Sequence, residues 1–138
     1  MTPIPPPDPP PPRRTARPFP THRFQPGDQP HPKTLGWAPT VDFPYACDLF
    51  DHRYCWEAHE VWEVEWRTHD RAAVEAWLLQ GLVCSAAFVI KQHQGILDGA
   101  ERLLTRSHLC LRAVVDATGP VARGLHLPEL FRRLHGFR

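Results

Sequence analysis

The sequence predicts an all-α protein, a compact helical bundle of three main helices with short flanking helices, behind an irregular proline-rich N-terminal arm. Fifteen of the seventeen prolines lie between Pro3 and Pro44, and each removes a backbone donor and fixes φ. Beyond Pro44, apolar residues recur at helical spacing over three long segments. No segment shows the alternation of apolar and polar residues that is typical of a strand.

The composition changes near Pro44, which predicts an arm over residues 1–44 and a helical domain over residues 45–138. The arm is too rich in proline to contribute to a core. Its run from Pro3 to Pro12 favours extended polyproline II, which serves either as a spacer or as a ligand for an aromatic groove on another protein. Further along, Phe24 and Trp37 are expected to hold this part of the arm against the domain.

The first helical signals follow the arm. Asp42 is a suitable N-cap with Pro44 in the first turn, which predicts a short helix that ends in a turn near His52. The segment Tyr54–Arg67 contains no glycine or proline and is expected to form about four helical turns.

Two long helices and a short one are predicted next. Asp70 is expected to cap a helix that runs to about Gln94, and its apolar residues point in nearly every direction, so it must be buried on most sides. A helical stripe over residues 96–114 continues until Gly119-Pro120 stops it. The tail allows one more short helix at Glu129–Leu134.

Charge, apolar runs and cysteines favour a cytoplasmic protein. The formal net charge is +1, so the charge of the chain does not indicate a nucleic acid or a membrane surface as the partner. The longest apolar stretch, Gly81 to Ile90, is about half the ~20 residues that cross a bilayer. Four cysteines stand singly without a C-x-x-C pair, which is typical of reduced thiols in a core.

The helix at Tyr54–Arg67 carries the candidate functional site. Trp56, His59, Glu60, Glu63 and Trp66 fall within about 120° of one another on a helical wheel, with Trp62 at the margin. Carboxylates and an imidazole among tryptophans are unusual on a face that turns toward a core, because buried charge must be paired or protonated.

Two non-catalytic interpretations fit this face. In one, His59, Glu60 and Glu63 form a structural polar network with Arg67, Gln80 or backbone groups. In the other, the same face lines a pocket for a small or cationic ligand, with Trp56, Trp62 and Trp66 as its walls. On the facing helix, a stripe at helical spacing could complete either arrangement; its members are Gln80, Cys84, Ala87 and Lys91.

A metal-dependent hydrolase is a further alternative. His59, Glu60 and Glu63 form H-E-x-x-E, which is similar to the zincin motif H-E-x-x-H with its last histidine replaced, and it would use His59 and Glu63 as ligands and Glu60 as a base. No third ligand follows at a recognisable spacing, so we expect neither a metal nor another cofactor. The sequence therefore does not predict a catalytic activity.

The full set of candidate residues, for a pocket or a polar network, is Trp56, Glu57, His59, Glu60, Glu63, Trp66, Gln80 and Lys91. Another alternative is a protein-interaction module that acts through the proline-rich arm. The partner is then a protein or a small molecule of unspecified identity, and self-association is left open.

Several motifs in this order resemble a known family. The pattern E-A-H-E-x-x-E-x-x-W at Glu57–Trp66, followed by Q-G-L at Gln80–Leu82, resembles the family named domain of unknown function 309, over residues 47–111. The resemblance implies a compact helical bundle and no established biochemical role. A polar residue is common in that family where Cys84 stands, and a histidine is common near Lys91, so a site shared by the family would be altered here.

Overall fold

The computed structural model describes residues 4–21, 23–24 and 36–138. Within these residues the chain forms a helical bundle with one very short hairpin. The third helix packs against both the second and the fourth and is the centre of the bundle. The elements are α1 (Phe43–Asp51), α2 (Cys55–Trp66), α3 (Val74–Gln94), α4 (Leu97–Thr118), β1 (Val121–Ala122), β2 (Leu125–His126) and α5 (Leu127–His135). The predicted all-α class and bundle are confirmed.

The ends of the first helices follow from local hydrogen bonds. Asp42 caps α1 as predicted, because its Oδ1 accepts the N–H of Tyr45 at 3.2 Å. The predicted cap at Asp70 is wrong: α3 begins at Val74 and its N-cap is Ala73. Asp70 Oδ1 instead accepts the N–H of Ala72 at 2.8 Å, a local bond that aspartate forms in turns as readily as at helix starts.

The core lies where α3 meets its neighbours. A close approach of α3 to α4 occurs at Gly81, where an added Cβ would lie only 2.6 Å from Leu111 Cδ2. One turn further along, the buried hydroxyls of Ser85 and Ser107 are 2.7 Å apart and hydrogen-bonded. The largest fully buried side chains include Trp62, Tyr45, Phe88, Leu49, Leu79, Leu82 and Leu111.

The hairpin after α4 was not predicted. β1 and β2 pair antiparallel through Val121 with His126 and Ala122 with Leu125, and the turn between them has positive φ at Arg123 (46°) and Gly124 (80°). Strands of two residues are too short to show an alternating pattern, so the hairpin could not be predicted from the sequence.

Apolar side chains of the arm, Ile4, Phe19 and Trp37 among them, are packed against the helices, contrary to the expectation that the arm contributes nothing to a core. Ile4 is buried with 7% of its surface exposed, and the Phe19 ring lies 4.8 Å from the ring of Tyr54. An extended backbone can place a single apolar side chain against a helix without forming regular structure itself. The predicted surface contact also holds for Phe24, whose ring lies 4.8 Å from that of Trp56, while residues 25–35 lie outside the described residues.

α3 is long and apolar enough to cross a membrane by length and composition alone, and 61% of its most apolar window is buried inside the bundle. Burial on this scale is typical of the central helix of a soluble domain. The broad hydrophobic surface of α3 is therefore accounted for by α2 and α4.

Candidate functional site

One face of α2 lies along α3 and carries most of the candidate residues. Trp56, His59, Glu60, Glu63 and Trp66 are all half-buried, as expected for positions three or four residues apart at the edge of a packed helix. They are neither sealed in the core nor fully exposed to solvent.

His59 lies between the two carboxylates of this face. Its Nε2 is 3.5 Å from Glu60 Oε1 and 3.9 Å from Glu63 Oε2, while Nδ1 contacts the carbonyl oxygen of Trp56. A carbonyl can only accept, so Nδ1 carries a proton and Nε2 faces the carboxylates. Glu63 also pairs through Oε1 with Arg67. Both carboxylates therefore have basic groups nearby on their own helix.

A cavity of about 270 Å³ opens between α2, α3 and α4, at the Glu63 end of this face. With the Gln80 amide oriented to satisfy its hydrogen bonds, its oxygen accepts from Arg106 Nη2 at 2.6 Å and from Arg106 Nε at 3.2 Å. Apolar and polar groups meet in this cavity, which is lined by Glu63, Trp66, Gln80, Val83, Cys84, Leu103 and Arg106.

A second cavity, of about 210 Å³, lies toward the other end of the same face. Its lining residues are Trp56, His59, Ala87, Ile90, Lys91 and Gln94. Residues 80, 84, 87, 91 and 94 of α3 share one helical stripe, so the two cavities lie on the same side of α3. We call these two cavities together the α3 groove.

Three candidate residues of α2, Trp62, Glu57 and Glu60, lie outside the linings of the two cavities. Trp62 is 2% exposed and packs against Phe50 with ring centres 5.8 Å apart, so the tryptophans that line the groove are Trp56 and Trp66. Glu57 is fully buried and its Oε2 accepts the N–H of Phe24 at 3.0 Å, which places it against the arm.

Glu57 is a buried acid with an incomplete set of partners. Its Oε1 has no hydrogen-bond partner among the described residues. Burial raises the pKa of Glu57 from 4.5 to about 7, and the bond from Phe24 and the charge of Arg23 only partly oppose this rise. Near neutral pH this carboxyl is therefore divided between its protonated and ionised forms.

The cysteines are free thiols. Cys55 and Cys84 are buried, and burial raises the pKa of Cys55 to about 12 and that of Cys84 to about 11. Both thiols are therefore protonated at neutral pH, whereas nucleophilic attack and metal binding use the thiolate.

No group of three His, Cys, Asp or Glu side chains is arranged to hold a metal ion within the parts of the chain that the structure describes. His59 brings one imidazole near the two carboxylates of Glu60 and Glu63, and these are contacts between neighbouring positions of a single helix.

Arg106 and Leu103 are groove residues that sequence reasoning missed. Both are on α4, and their position in the groove depends on the register of α4 against α3. The sequence carries a faint signal of it, since Leu103 and Arg106 are three residues apart and share a face.

Fold and groove together define a small helical-bundle domain with two polar and aromatic cavities on one side of its central helix. Residues 43–103, a little under half of the chain, match the family model described as Domain of unknown function (DUF309), so this part of the chain is similar to that family. The match extends from the start of α1 into α4 and includes most of the residues that line the groove. No curated protein and no solved structure gave a significant match.

Proposed function

We propose that the α3 groove binds a small organic anion, and that the domain is a non-catalytic binding module of the cytoplasm. The observation that carries the proposal is the open cavity in which the indole of Trp66 and the apolar side chains of Val83 and Leu103 stand beside Arg106 and Gln80. Small-molecule sites combine an apolar lining with a few polar groups in this way. At about 270 Å³ the cavity suits a metabolite-sized ligand.

The charges favour an anionic ligand over a cationic one. Glu63 is paired with Arg67 and lies near His59, and Glu60 also lies near His59. Arg106 has no carboxylate within ion-pair distance among the described residues, and Gln80 is the partner that the structure gives it. A ligand carboxylate would supply the missing anion to the guanidinium, which is well suited to binding a carboxylate through two parallel bonds.

Lys91 gives the second cavity a similar character. Its ammonium has no ion pair within the described parts of the chain, and it lines the cavity together with Trp56, His59 and Ile90. The groove therefore offers an indole and a cation at each end, so a ligand with an apolar body and an acidic group suits either cavity.

The competing interpretation is that these contacts only fix the packing of α2, α3 and α4. The bonds from Arg106 to Gln80 and from Arg67 to Glu63 would then stabilise the bundle and bind nothing. A test must therefore separate loss of binding from loss of stability.

We suggest titrating the ¹⁵N-labelled chain with aromatic carboxylates and, as matched controls, with the corresponding neutral amides. The carboxylates are expected to shift the amide signals of Gln80, Cys84 and Arg106, and Arg106→Gln is expected to weaken binding by about tenfold, the order of one charge-assisted bond. Arg102→Gln, an exposed change on the same helix, should leave binding unchanged.

The proposal fails if carboxylates and amides act alike, or if neither shifts the groove signals. A fall in the free energy of unfolding of Arg106→Gln without any such shift would instead favour the structural network.

A further inference from the structure

The arm is held by a buried carboxylate on α1. Asp48 is fully buried, and its Oδ1 accepts the N–H of Arg14 at 2.7 Å. Its Oδ2 accepts the N–H of Thr15 at 2.9 Å and the hydroxyl of Thr15 at 2.8 Å. Burial alone would raise the pKa of Asp48, but these bonds outweigh it and hold the pKa below its ordinary value. The ionised carboxylate of Asp48 thus accepts hydrogen bonds from the backbone N–H groups of two successive residues in an extended segment.

The sequence of the arm fits this clamp. Eight of the ten residues from Pro3 to Pro12 are prolines, whereas residues 13–17 contain none. Proline has no N–H to donate, so a proline at position 14 or 15 would remove one of the bonds to Asp48. The proline-free interval therefore falls at the place where the helices require backbone donors.

Aromatic contacts follow directly after the clamp. The Arg17 guanidinium lies 4.2 Å from the centre of the Tyr45 ring, and the Tyr45 hydroxyl donates to the carbonyl of Pro18 at 2.7 Å. Phe19 then packs against Tyr54 and His52, with ring centres 4.8 and 5.0 Å apart. Pro18 and Phe19 are thus recognised through one carbonyl and one ring.

Further along the arm, Arg23 and Phe24 contact α2 and the turn before it. Arg23 lies 4.5 Å from the centre of the Tyr54 ring and donates through Nε to the carbonyl of His52 at 2.9 Å. The N–H of Phe24 reaches the buried Glu57 at 3.0 Å. A second buried carboxylate therefore receives a backbone donor, ten residues after Arg14.

Side-chain charges are complementary along the same path. Arg14 pairs with Asp51 at 2.8 Å, Arg17 pairs with Asp42 at 3.1 Å and Arg13 lies 3.6 Å from Asp48. The arginines lie at residues 13–17 of the arm, whereas Asp48 and Asp51 lie on α1 and Asp42 is its N-cap. Burial of the two clamping carboxylates, at Asp48 and Glu57, distinguishes this surface from an ordinary solvated acidic face.

We propose that this surface, which we call the arm site and define by Asp42, Tyr45, Asp48, Tyr54 and Glu57, is a peptide-recognition site. Its ligand is an extended segment with free N–H groups, flanking arginines and a Pro-Phe pair, and the chain's own arm is the ligand that occupies it. A segment of the same chemistry on another protein binds there by displacing the arm. The protein-interaction module considered from the sequence is then one in which the helices bind an extended peptide.

Competition from the arm lowers the apparent affinity of the arm site for a free peptide. A tethered ligand acts at a high effective concentration, so a free peptide binds the intact site weakly until the arm is loosened. Phe19 contacts the site through its ring and supplies no backbone bond to Asp48, so Phe19→Ala weakens the arm and leaves the site itself unchanged.

The test uses the full chain and a fluorescein-labelled peptide of residues 13–24, with fluorescence anisotropy as the measurement. The Phe19→Ala chain is expected to bind the peptide about tenfold more tightly than the wild-type chain, the effect of losing one aromatic anchor from the competing arm. Asp48→Asn in the Phe19→Ala chain should abolish the gain. A peptide N-methylated at the positions of Arg14 and Thr15, which keeps every side chain, should not bind.

Equal binding of the peptide to the wild-type and Phe19→Ala chains, absence of binding to either, or equal binding of the N-methylated peptide would overturn the proposal. Circular dichroism checks that Phe19→Ala remains helical. Should it not fold, Arg17→Ala loosens the arm through a different contact and the same comparison applies.

Discussion

At the scale of single residues, Glu57 shows how strongly burial changes a common side chain. It is a glutamate in the first turn of an acidic helix, yet it is fully buried and its pKa is raised to about 7. The folded state therefore keeps a proton that the unfolded chain has lost between about pH 4.5 and about pH 7. Across this interval the free energy of unfolding falls as the pH rises, and it stays reduced above it.

We expect Glu57→Gln to stabilise the protein at about pH 8 by about 2 kcal/mol and to have almost no effect at about pH 5. Glutamine cannot ionise, and its amide oxygen can still accept the N–H of Phe24. Urea unfolding at the two pH values measures the difference. Glu75→Gln, at an exposed position, is the control and should change little at either pH. A Glu57→Gln protein that is less stable than the wild type at the higher pH would contradict the assignment.

The sequence indicated that Glu57 is a candidate residue but not that it is buried. Glu57 is among the candidate residues and begins the E-A-H-E motif, but one residue corresponds to about 100° of helix rotation, so it lies well around the helix from Trp56. The buried environment could not be predicted, because the arm covers Glu57 and the position of an irregular segment leaves no periodic signal.

At the scale of elements, Gly81 governs how closely α3 approaches α4. A Cβ at this position would lie 2.6 and 2.8 Å from Leu111 side-chain atoms and 3.3 Å from Cys110 Cβ. These contacts are too short for a real methyl group, so the two helices would have to separate. The glycine of the Q-G-L motif is thus explained by packing.

We expect Gly81→Ala to lower the free energy of unfolding by about 1–2 kcal/mol, because overpacking outweighs the better helix propensity of alanine. Gly99→Ala is the matched control, since its Cβ would meet atoms only at 3.5 Å and beyond. That change should raise stability by about 0.5 kcal/mol. Thermal and urea unfolding test both changes; equal stabilisation by both would show that α3 and α4 are not in close contact at Gly81.

The elements themselves were largely predictable. The segment Tyr54–Arg67 was predicted as a helix and α2 spans Cys55–Trp66, because the absence of breakers and the helical spacing are both local signals. The start of α3 was placed too early, because the side chain of Asp70 serves the turn before the helix. The groove could not be predicted from the sequence, for a different reason. Arg106 lines the groove because α3 and α4 pack together, and the residue pattern within a single helix carries no information about that packing.

At the scale of the whole molecule, the arm and the bundle form one structure in the described residues. Ile4 is buried and Asp48 holds residues 14 and 15. The sequence predicted the arm and its irregular backbone but not this attachment, since the carboxylate that makes it lies more than thirty residues further along the chain.

We expect Asp48→Ala to release the arm, lowering the free energy of unfolding by about 2 kcal/mol and speeding trypsin cleavage after Arg14 by about tenfold. The change removes all three bonds from Arg14 and Thr15. Asp51→Ala removes a side-chain ion pair with Arg14 and leaves the backbone bonds, so cleavage should change by much less. Mass spectrometry follows the cleavage, and equal cleavage in both variants would show that Asp48 does not hold the arm.

Trp56 contacts the arm that occupies the arm site and also lines the α3 groove. Its indole contacts the Phe24 ring of the arm at 4.8 Å and lines the cavity that contains His59 and Lys91. When an occupant of one site displaces this ring, the contacts that the ring offers at the other site change as well. The two binding equilibria are therefore thermodynamically linked. Linkage is reciprocal: the factor by which a groove ligand changes the affinity for the arm equals the factor by which the arm changes the affinity for that ligand.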